Sequence, residues 1–484
     1  MEDLKERAIR GGLAKLCGHT ADSILRVVFM MVMARLLDPQ DFGLVAMVTV
    51  VTGIYGYFSS AGLGAATVQS DTITNEQLST LFWINMGFGA VLGLLCLATA
   101  PVLVAFYHEP RLSWLTIAMA AWFVLIAAGV QHSALLQREL RFVSVVVIDT
   151  LSEVAGTAIG IGMAFAGFKY WALIVATIVT AAVRTAGAWL ALPWIPGPPR
   201  RWTGIWPMLR MGGTWTLNNL VMYFAFNIEK LLLGRFWGAD ALGLYGRANQ
   251  LISFPTHTIN SAIGSPAFSA LSRVQNDPIR LRNYFLQGHS LVMSMTLPIT
   301  IFCALFAKDI ILIVLGPKWM DVLTIFRLMT PTVLIFGIIN PLGWLLYSIG
   351  LQERSLKIAL VIAALMIAAC AVGLPYGPNG VAFAYSAAMT LWLAPHVVWC
   401  LHGTTISPRD LLVAASRPLL SSVIAAAPAF GAQVYCAELH SPLLRLALGS
   451  GVMFGVYVFV LLFIMGQKAF YLGLLKASTG LSRP

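Results

Sequence analysis

The chain has little charge. Only 11% of its 484 residues are Asp, Glu, Lys or Arg, where an ordinary soluble domain carries roughly a quarter. With 58% of residues hydrophobic, there is too little polar side chain to clothe a water-soluble fold of this size. Long polar stretches are missing too, and no loop is large enough to hold a soluble domain. The six cysteines (Cys17, Cys96, Cys303, Cys370, Cys400 and Cys436) are scattered without CxxC spacing. That spacing supports neither a disulfide framework nor a metal site, and the thiols read as small apolar core residues. No nucleophile motif, metal-ligand cluster or phosphate-binding glycine loop occurs. The amino terminus, Met1-Glu2-Asp3-Leu4-Lys5-Glu6-Arg7, mixes both signs and shows no signal-peptide cleavage pattern.

What fills the chain instead is hydrophobic runs. A run of about 20 residues crosses a ~30 Å hydrocarbon core, and fourteen such runs are present. They cover about 12–36, 41–68, 78–106, 112–135, 141–167, 171–192, 206–236, 241–272, 284–306, 320–349, 356–373, 380–402, 411–436 and 443–466. The fold class expected is therefore an all-α polytopic membrane protein with about fourteen transmembrane helices. An even number of spans puts both ends on one side, and basic residues decide which. With the amino terminus cytoplasmic, nineteen Lys and Arg fall in the tail and loops of that side, against seven at outer ends. Both termini are expected inside. The net charge of +11 then belongs to short loops facing anionic lipid. Without a nucleic-acid motif, binding of nucleic acid is not expected.

Two stretches lying two hundred residues apart echo each other. Arg10/Arg210, Gly12/Gly212, Arg35/Arg235, Gly43/Gly243, Leu44/Leu244 and Gly64/Gly264 share one offset. An offset of six spans gives two halves of the same orientation, related by an axis along the membrane normal with a cavity between them. The expected organisation is an N-terminal lobe over 1–192 (spans 1–6) and a cytoplasmic linker over 193–205. A C-terminal lobe over 206–402 (spans 7–12) follows, then 403–484 with spans 13–14 and a tail. Pro193-Trp194-Ile195-Pro196-Gly197-Pro198-Pro199-Arg200-Arg201 carries the linker's proline, glycine and basic character.

The run Ala34-Arg35-Leu36-Leu37-Asp38-Pro39-Gln40-Asp41-Phe42-Gly43 resembles a signature of bacterial polysaccharide flippases. These are Wzx-like members of the multidrug/oligosaccharidyl-lipid/polysaccharide exporter superfamily. Further matching pieces are Leu135-Leu136-Gln137-Arg138-Glu139-Leu140-Arg141-Phe142, Asn227-Ile228-Glu229-Lys230-Leu231-Leu232-Leu233-Gly234-Arg235-Phe236, and Pro266 to Gln275. Gly316-Pro317-Lys318-Trp319 is another. Glu229 departs from the pattern, which more usually has Asp there, but it keeps the charge. The resemblance implies a MATE-like fold of two pseudo-symmetric six-helix lobes plus two C-terminal helices, with alternating access. It implies a lipid-linked oligosaccharide as cargo, an inner-membrane location and membrane lipids as surroundings. A polysaccharide polymerase and a chain-length regulator would be its partners. A monomer without cofactor is expected, driven by H⁺ or Na⁺.

The residues supply a chemistry of their own. Asp22, Arg26, Asp149, Glu153, Arg184, Glu229, Lys230, Arg247 and Arg327 lie well inside spans. Each would cost roughly 2.5–3.5 kcal/mol at the centre of a lipid-facing helix, so each should face a cavity or a partner. On span 1, Lys15, His19, Asp22 and Arg26 fall at helical spacings and make one polar stripe. Either Asp22 and Arg26 pair to pack the lobe, or Arg26 is a diphosphate contact held by Asp22. Asn219 and Lys230 share a face of span 7, and Glu229 beside them caps the span or serves as an ion-coupling group. Asp149 and Glu153 lie one turn apart on span 5. They either bind a proton or Na⁺ or pair with Arg184. Gly156 and Gly160 on the same side allow close helix approach. Arg247 and Arg327 are single charges for the cavity wall, and Arg327 is near enough to the surface to snorkel. Pro255, Pro266, Pro331 and Pro341 mark kinks. His132 and His257 read as buried imidazoles, and Trp171, Trp202, Trp206, Trp237 and Trp319 as a membrane belt.

Two other classes compete. A drug or cation antiporter of the same superfamily is opposed by the intramembrane basic residues, which would repel a cationic cargo. A membrane polysaccharide polymerase or ligase needs a sizeable outer loop with catalytic groups, and the outer loops are very short. The chain is expected not to be an enzyme.

Overall fold

The computed structural model describes residues 2–59, 64, 67–68, 73–199, 223, 226–438, 441–469 and 471–473. Helices make up the regular structure among these residues, with no strand. They are α1 (Glu2–Leu36), α2 (Pro39–Ser59), α3 (Asn75–Tyr107), α4 (Leu112–Arg138), α5 (Phe142–Phe165) and α6 (Trp171–Ala191). Then follow α7 (Ile228–Arg273), α8 (Pro278–Leu305), α9 (Ala307–Val314), α10 (Val322–Met329) and α11 (Pro331–Ser348). The last are α12 (Gln352–Gly373), α13 (Gly377–Leu401), α14 (Pro408–Tyr435) and α15 (Pro442–Phe459).

Nine helices among the described residues are long and apolar enough to cross a membrane. One of the nine, Gln352–Leu401, contains both α12 and α13, which pack on each other as a hairpin. The expected runs at 12–36, 41–68, 206–236 and 241–272 are represented by α1, α2 and α7, with Phe226 and Asn227 forming a turn just before α7. Helix ends follow local chemistry. Thr74 accepts from the Gln77 backbone N at 3.2 Å while the Gln77 side chain accepts from the Thr74 N at 3.0 Å, closing a capping box on α3. Ser407 and Asp410 do the same for α14.

Four features differ from the expectation. The break between spans 7 and 8 shrinks to one residue, Gly238, at φ 80° within α7. Second, the short helix α9 and the 3-10 turn Pro317–Trp319 occupy a stretch read as loop. Third, Trp319 is fully buried and belongs to a core, because Gly316 at φ 99° turns the chain inward before it. Fourth, His257, expected to be buried, is exposed, whereas His132 is buried.

The chain divides into two compact units, Met1–Gly246 and Arg247–Pro484. In the first, α1 packs on α5, α5 on α6, α4 on both α3 and α6, and α2 on α3 and α4. Gly156 and Gly160 of α5 sit against Ala176 of α6, the close approach their spacing predicts. Residues 193–199 of the linker have no regular structure and lie against α3 and α4. Trp83 Nε1 donates to the Gly197 carbonyl at 2.9 Å, Gly197 N donates to Ser79 Oγ at 3.0 Å, and His132 Nε2 lies 3.0 Å from the Trp194 carbonyl. His132 also stacks on Trp189 at 4.2 Å. Residues 200–205 of the linker lie outside the described residues. In the second unit, α8 packs on α11 and α14, α14 on α15, and α13 on α10, α11 and α12. Arg445 of α15 donates to Asp309 of α9 through Nε at 2.9 Å and Nη2 at 2.6 Å, a pair almost out of contact with solvent.

The echo has a structural counterpart inside the first unit. A Cβ placed on Gly43 would overlap the Ala239 carbonyl oxygen and stand 2.8 Å from Ala239 Cα. A Cβ placed on Gly243 would overlap the Pro39 carbonyl oxygen, 2.8 Å from Pro39 carbonyl carbon and 3.2 Å from Gly43 N. Gly43 and Gly243 share the offset, and so do Pro39 and Ala239. The two copies of the motif therefore meet each other reciprocally, in the manner of an isologous contact. Only a residue without a side chain fits at either position.

Candidate functional site

The polar residues of α1, α5 and α6 converge. Their helical spacing puts Asp22 and Arg26 on one face of α1, and Asp149 and Glu153 on one face of α5. Arg184 enters from α6. Its Nε lies 3.0 Å from Asp149 Oδ1, and its Nη2 lies 3.6 Å from Glu153 Oε1. Arg26 Nη2 reaches the same Glu153 oxygen at 3.4 Å. The α1 pairing is therefore not Asp22 with Arg26 one turn on. Arg26 turns to Glu153, and Asp22 accepts from Thr150 Oγ1 at 3.5 Å. Glu153 is the hub, with 18% of its side chain exposed, while Arg26 keeps 68% exposed.

A carboxylate shared by two guanidiniums has its charge compensated, as a buried acid requires. It also leaves Arg26 with donors to spare, since a guanidinium has five N–H groups and this contact uses one. The arrangement joins the two alternatives raised by the sequence. Asp149 and Glu153 do pair with Arg184, and Arg26 still presents a cation on the open side of the cluster.

A cavity of about 290 Å³ adjoins the cluster, walled by α4, α5 and α6 with Phe29 of α1. Glu153 and Arg184 line it, together with hydroxyls that the sequence reading did not single out. The signal was present in the spacing. Thr157 follows Glu153 by four residues on α5, and Thr177, Thr180 and Arg184 follow each other by three and four on α6. Each set makes a polar stripe on an apolar helix.

The remaining candidates lie elsewhere. Lys230 donates to Asn227 Oδ1 at 2.8 Å, and Asn227 Nδ2 donates to the Tyr223 carbonyl at 2.9 Å. Tyr223 in turn donates from its hydroxyl to the Val50 carbonyl of α2 at 2.7 Å. Glu229 next to Lys230 is buried, at 4% exposure. Arg247 and Arg327 belong to the second unit. Arg247 is half-buried and meets Gln250 Oε1, while Arg327 is exposed on α10. The side chain of His19, and Asn219 altogether, lie outside the described residues.

Such a bundle, with paired charges held inside apolar helices and no large loop, is that of a multi-pass membrane protein. Residues 32–324 match the family described as "Polysaccharide biosynthesis protein". The chain belongs to that family. It is 27% identical over 376 residues to the lipopolysaccharide biosynthesis protein WzxC of Escherichia coli, covering 76% of each chain. It is 28% identical over 294 residues to the teichuronic acid biosynthesis protein TuaB of Bacillus subtilis, covering 60% of each. With the succinoglycan biosynthesis transport protein ExoT of Rhizobium meliloti it shares 23% over 295 residues, which is 61% of this chain and 60% of that one. The fold is that of the lipid II flippase MurJ in an inward closed conformation. The TM-score there is 0.73 at 15% identity, covering 96% of this chain and all of the other.

Proposed function

We propose that this protein is a transporter that flips an oligosaccharide repeat unit linked to a polyprenyl diphosphate. The cargo passes from the cytoplasmic to the outer leaflet of a bacterial inner membrane for assembly of a surface polysaccharide such as O-antigen, capsule or exopolysaccharide. Its family, the polysaccharide-biosynthesis names of its relatives and the transport named for ExoT support the reading. The observation that carries it is the Arg26–Glu153–Arg184 cluster. Within hydrophobic runs of three helices, it holds a guanidinium whose one contact is to Glu153 and whose other N–H groups are left for a ligand. Such a group binds phosphate oxygens and is costly to keep inside a membrane for any lesser purpose.

In this mechanism Arg26, assisted by Lys230 of the same unit, holds the diphosphate while the prenyl tail stays in lipid. Both termini are cytoplasmic, in keeping with the basic loops. The α1–α2 turn and the kink of α7 then lie at the outer side, and the reciprocal Gly43–Ala239 and Gly243–Pro39 contact closes the path there. Opening outward parts this contact. No chemical step and no cofactor is needed. Movement is driven by H⁺ or Na⁺ through a carboxylate, and Glu229 suits that role better than Glu153, whose oxygen already faces two guanidiniums. The protein acts as a monomer beside a polymerase and a chain-length regulator.

Arg26→Ala is expected to abolish export of the polysaccharide in cells while protein abundance stays at the wild-type level. Normal export by that variant would sink the assignment.

A further inference from the structure

The cavity of the first unit carries chemistry that a diphosphate does not need. Phosphate oxygens call for donors and cations, yet the polar lining here is a carboxylate, a guanidinium and a set of hydroxyls. Thr177 donates to the Leu173 carbonyl at 2.9 Å and Thr185 to the Leu125 carbonyl at 2.8 Å, so both present acceptor lone pairs. Ser133 and Thr157 make no hydrogen bond to other described residues, and both residues are half-buried where they line the cavity. A hydroxyl left without a partner at that depth is costly, which argues for a ligand or water facing it.

We infer that this cavity is a saccharide subsite that takes one sugar ring of the lipid-linked cargo, with Ser133, Thr157, Glu153 and Arg184 as its polar contacts and Trp122 as its apolar wall. The inference rests on the flippase reading and names where that cargo's headgroup is recognised. Each sugar hydroxyl both donates and accepts, and the lining matches that duality. Glu153 accepts, Arg184 donates, and the serine and threonine hydroxyls do either. Volume agrees as well. About 290 Å³ is room for roughly ten waters at ~30 Å³ each, close to the dozen or so heavy atoms of one hexose. The half-buried Trp122 lines the same cavity and offers an aromatic face whose negative quadrupole suits the C–H side of a sugar ring. A metal cation is a poorer occupant, because the one carboxylate lining the cavity, Glu153, already has Arg26 and Arg184 within 3.6 Å of its Oε1, and their charges repel a cation.

The test uses the full chain in lipid nanodiscs and two probes. One is the lipid-linked repeat unit extracted from a host strain deleted for this gene. The other is polyprenyl diphosphate without sugar. Wild type is expected to bind the sugar-loaded probe more tightly. In Ser133→Ala/Thr157→Val that preference falls by roughly 30-fold, two neutral hydrogen bonds at about fivefold each, while affinity for the bare diphosphate is unchanged. Trp122→Leu, which deletes the ring face but no hydrogen bond, lowers the same ratio and guards against a folding defect in the first variant. An unchanged ratio in both variants overturns the subsite and leaves the flippase reading intact. A wild-type protein that binds neither probe overturns the flippase reading itself, before any variant is made.

Discussion

Gly43→Ala is the smallest change that tests the reciprocal contact. The new methyl would overlap the Ala239 carbonyl oxygen and lie 2.8 Å from its Cα. Ordinary contact between carbons begins near 3.5 Å, so the two segments must part by roughly 1 Å. The obstacle is backbone on both sides, and no rotamer change relieves it. Overpacking of this kind costs about 1–3 kcal/mol. If the contact exists in only one state of the transport cycle, that cost falls on the closed state alone. A differential of that size shifts the population toward the open state by roughly 5–150-fold. The readout is labelling of Ala239→Cys, a position only 8% exposed in wild type, by a membrane-impermeant maleimide added to cells. Background is low because the described native cysteines are buried. Gly43→Ala should raise labelling strongly while thermal stability in detergent changes little. Gly243→Ala should do the same, and the double variant should add little to either, because the first methyl has already separated the segments. Labelling that stays at the wild-type level in both single variants would refute the contact as a closure. A large loss of stability in both would make it plain packing.

Two more predictions concern parts that hold the units together internally. The Arg445–Asp309 pair is nearly buried, so Asp309→Asn or Arg445→Leu should each destabilise by about 3–5 kcal/mol. An apolar Asp309→Leu/Arg445→Leu pair should recover most of the loss, because no lone charge remains; thermal denaturation of the single and double variants decides this. Ser79→Ala/Trp83→Phe removes two bonds to Gly197, worth about 1 kcal/mol each. It should expose residues 193–199 to limited proteolysis without lowering the main unfolding transition, and resistance equal to wild type would show that other contacts hold the linker.

The candidate site was only partly legible in the sequence. Charged residues at helical spacing in apolar runs identified Asp22, Arg26, Asp149, Glu153 and Arg184, because a charge in hydrocarbon is conspicuous. Their partners were not fixed by spacing. Asp22 and Arg26 stand one turn apart and invite pairing, yet the packing of α1 on α5 brings Glu153 closer to Arg26. Threonines carry little signal alone, because a hydroxyl on a helix ordinarily bonds to a carbonyl one turn back, as Thr177 does to Leu173, and only the tertiary structure shows which ones lack that partner. Trp319 was misplaced for a related reason: an aromatic near a span end suits an interface, and only the turn at Gly316 shows that it is enclosed.

The amino-acid sequence alone set the solvent and the helices and displayed the echo at one offset. Lipid forbids unsatisfied backbone, so apolar runs of that length must be helical, and identities at one offset are visible wherever the two stretches lie. The tertiary structure alone decided which charges meet, where a cavity opens, and that Gly43 and Gly243 each sit against the other copy's backbone. Those outcomes depend on distances between helices far apart in the chain, and no local spacing encodes them.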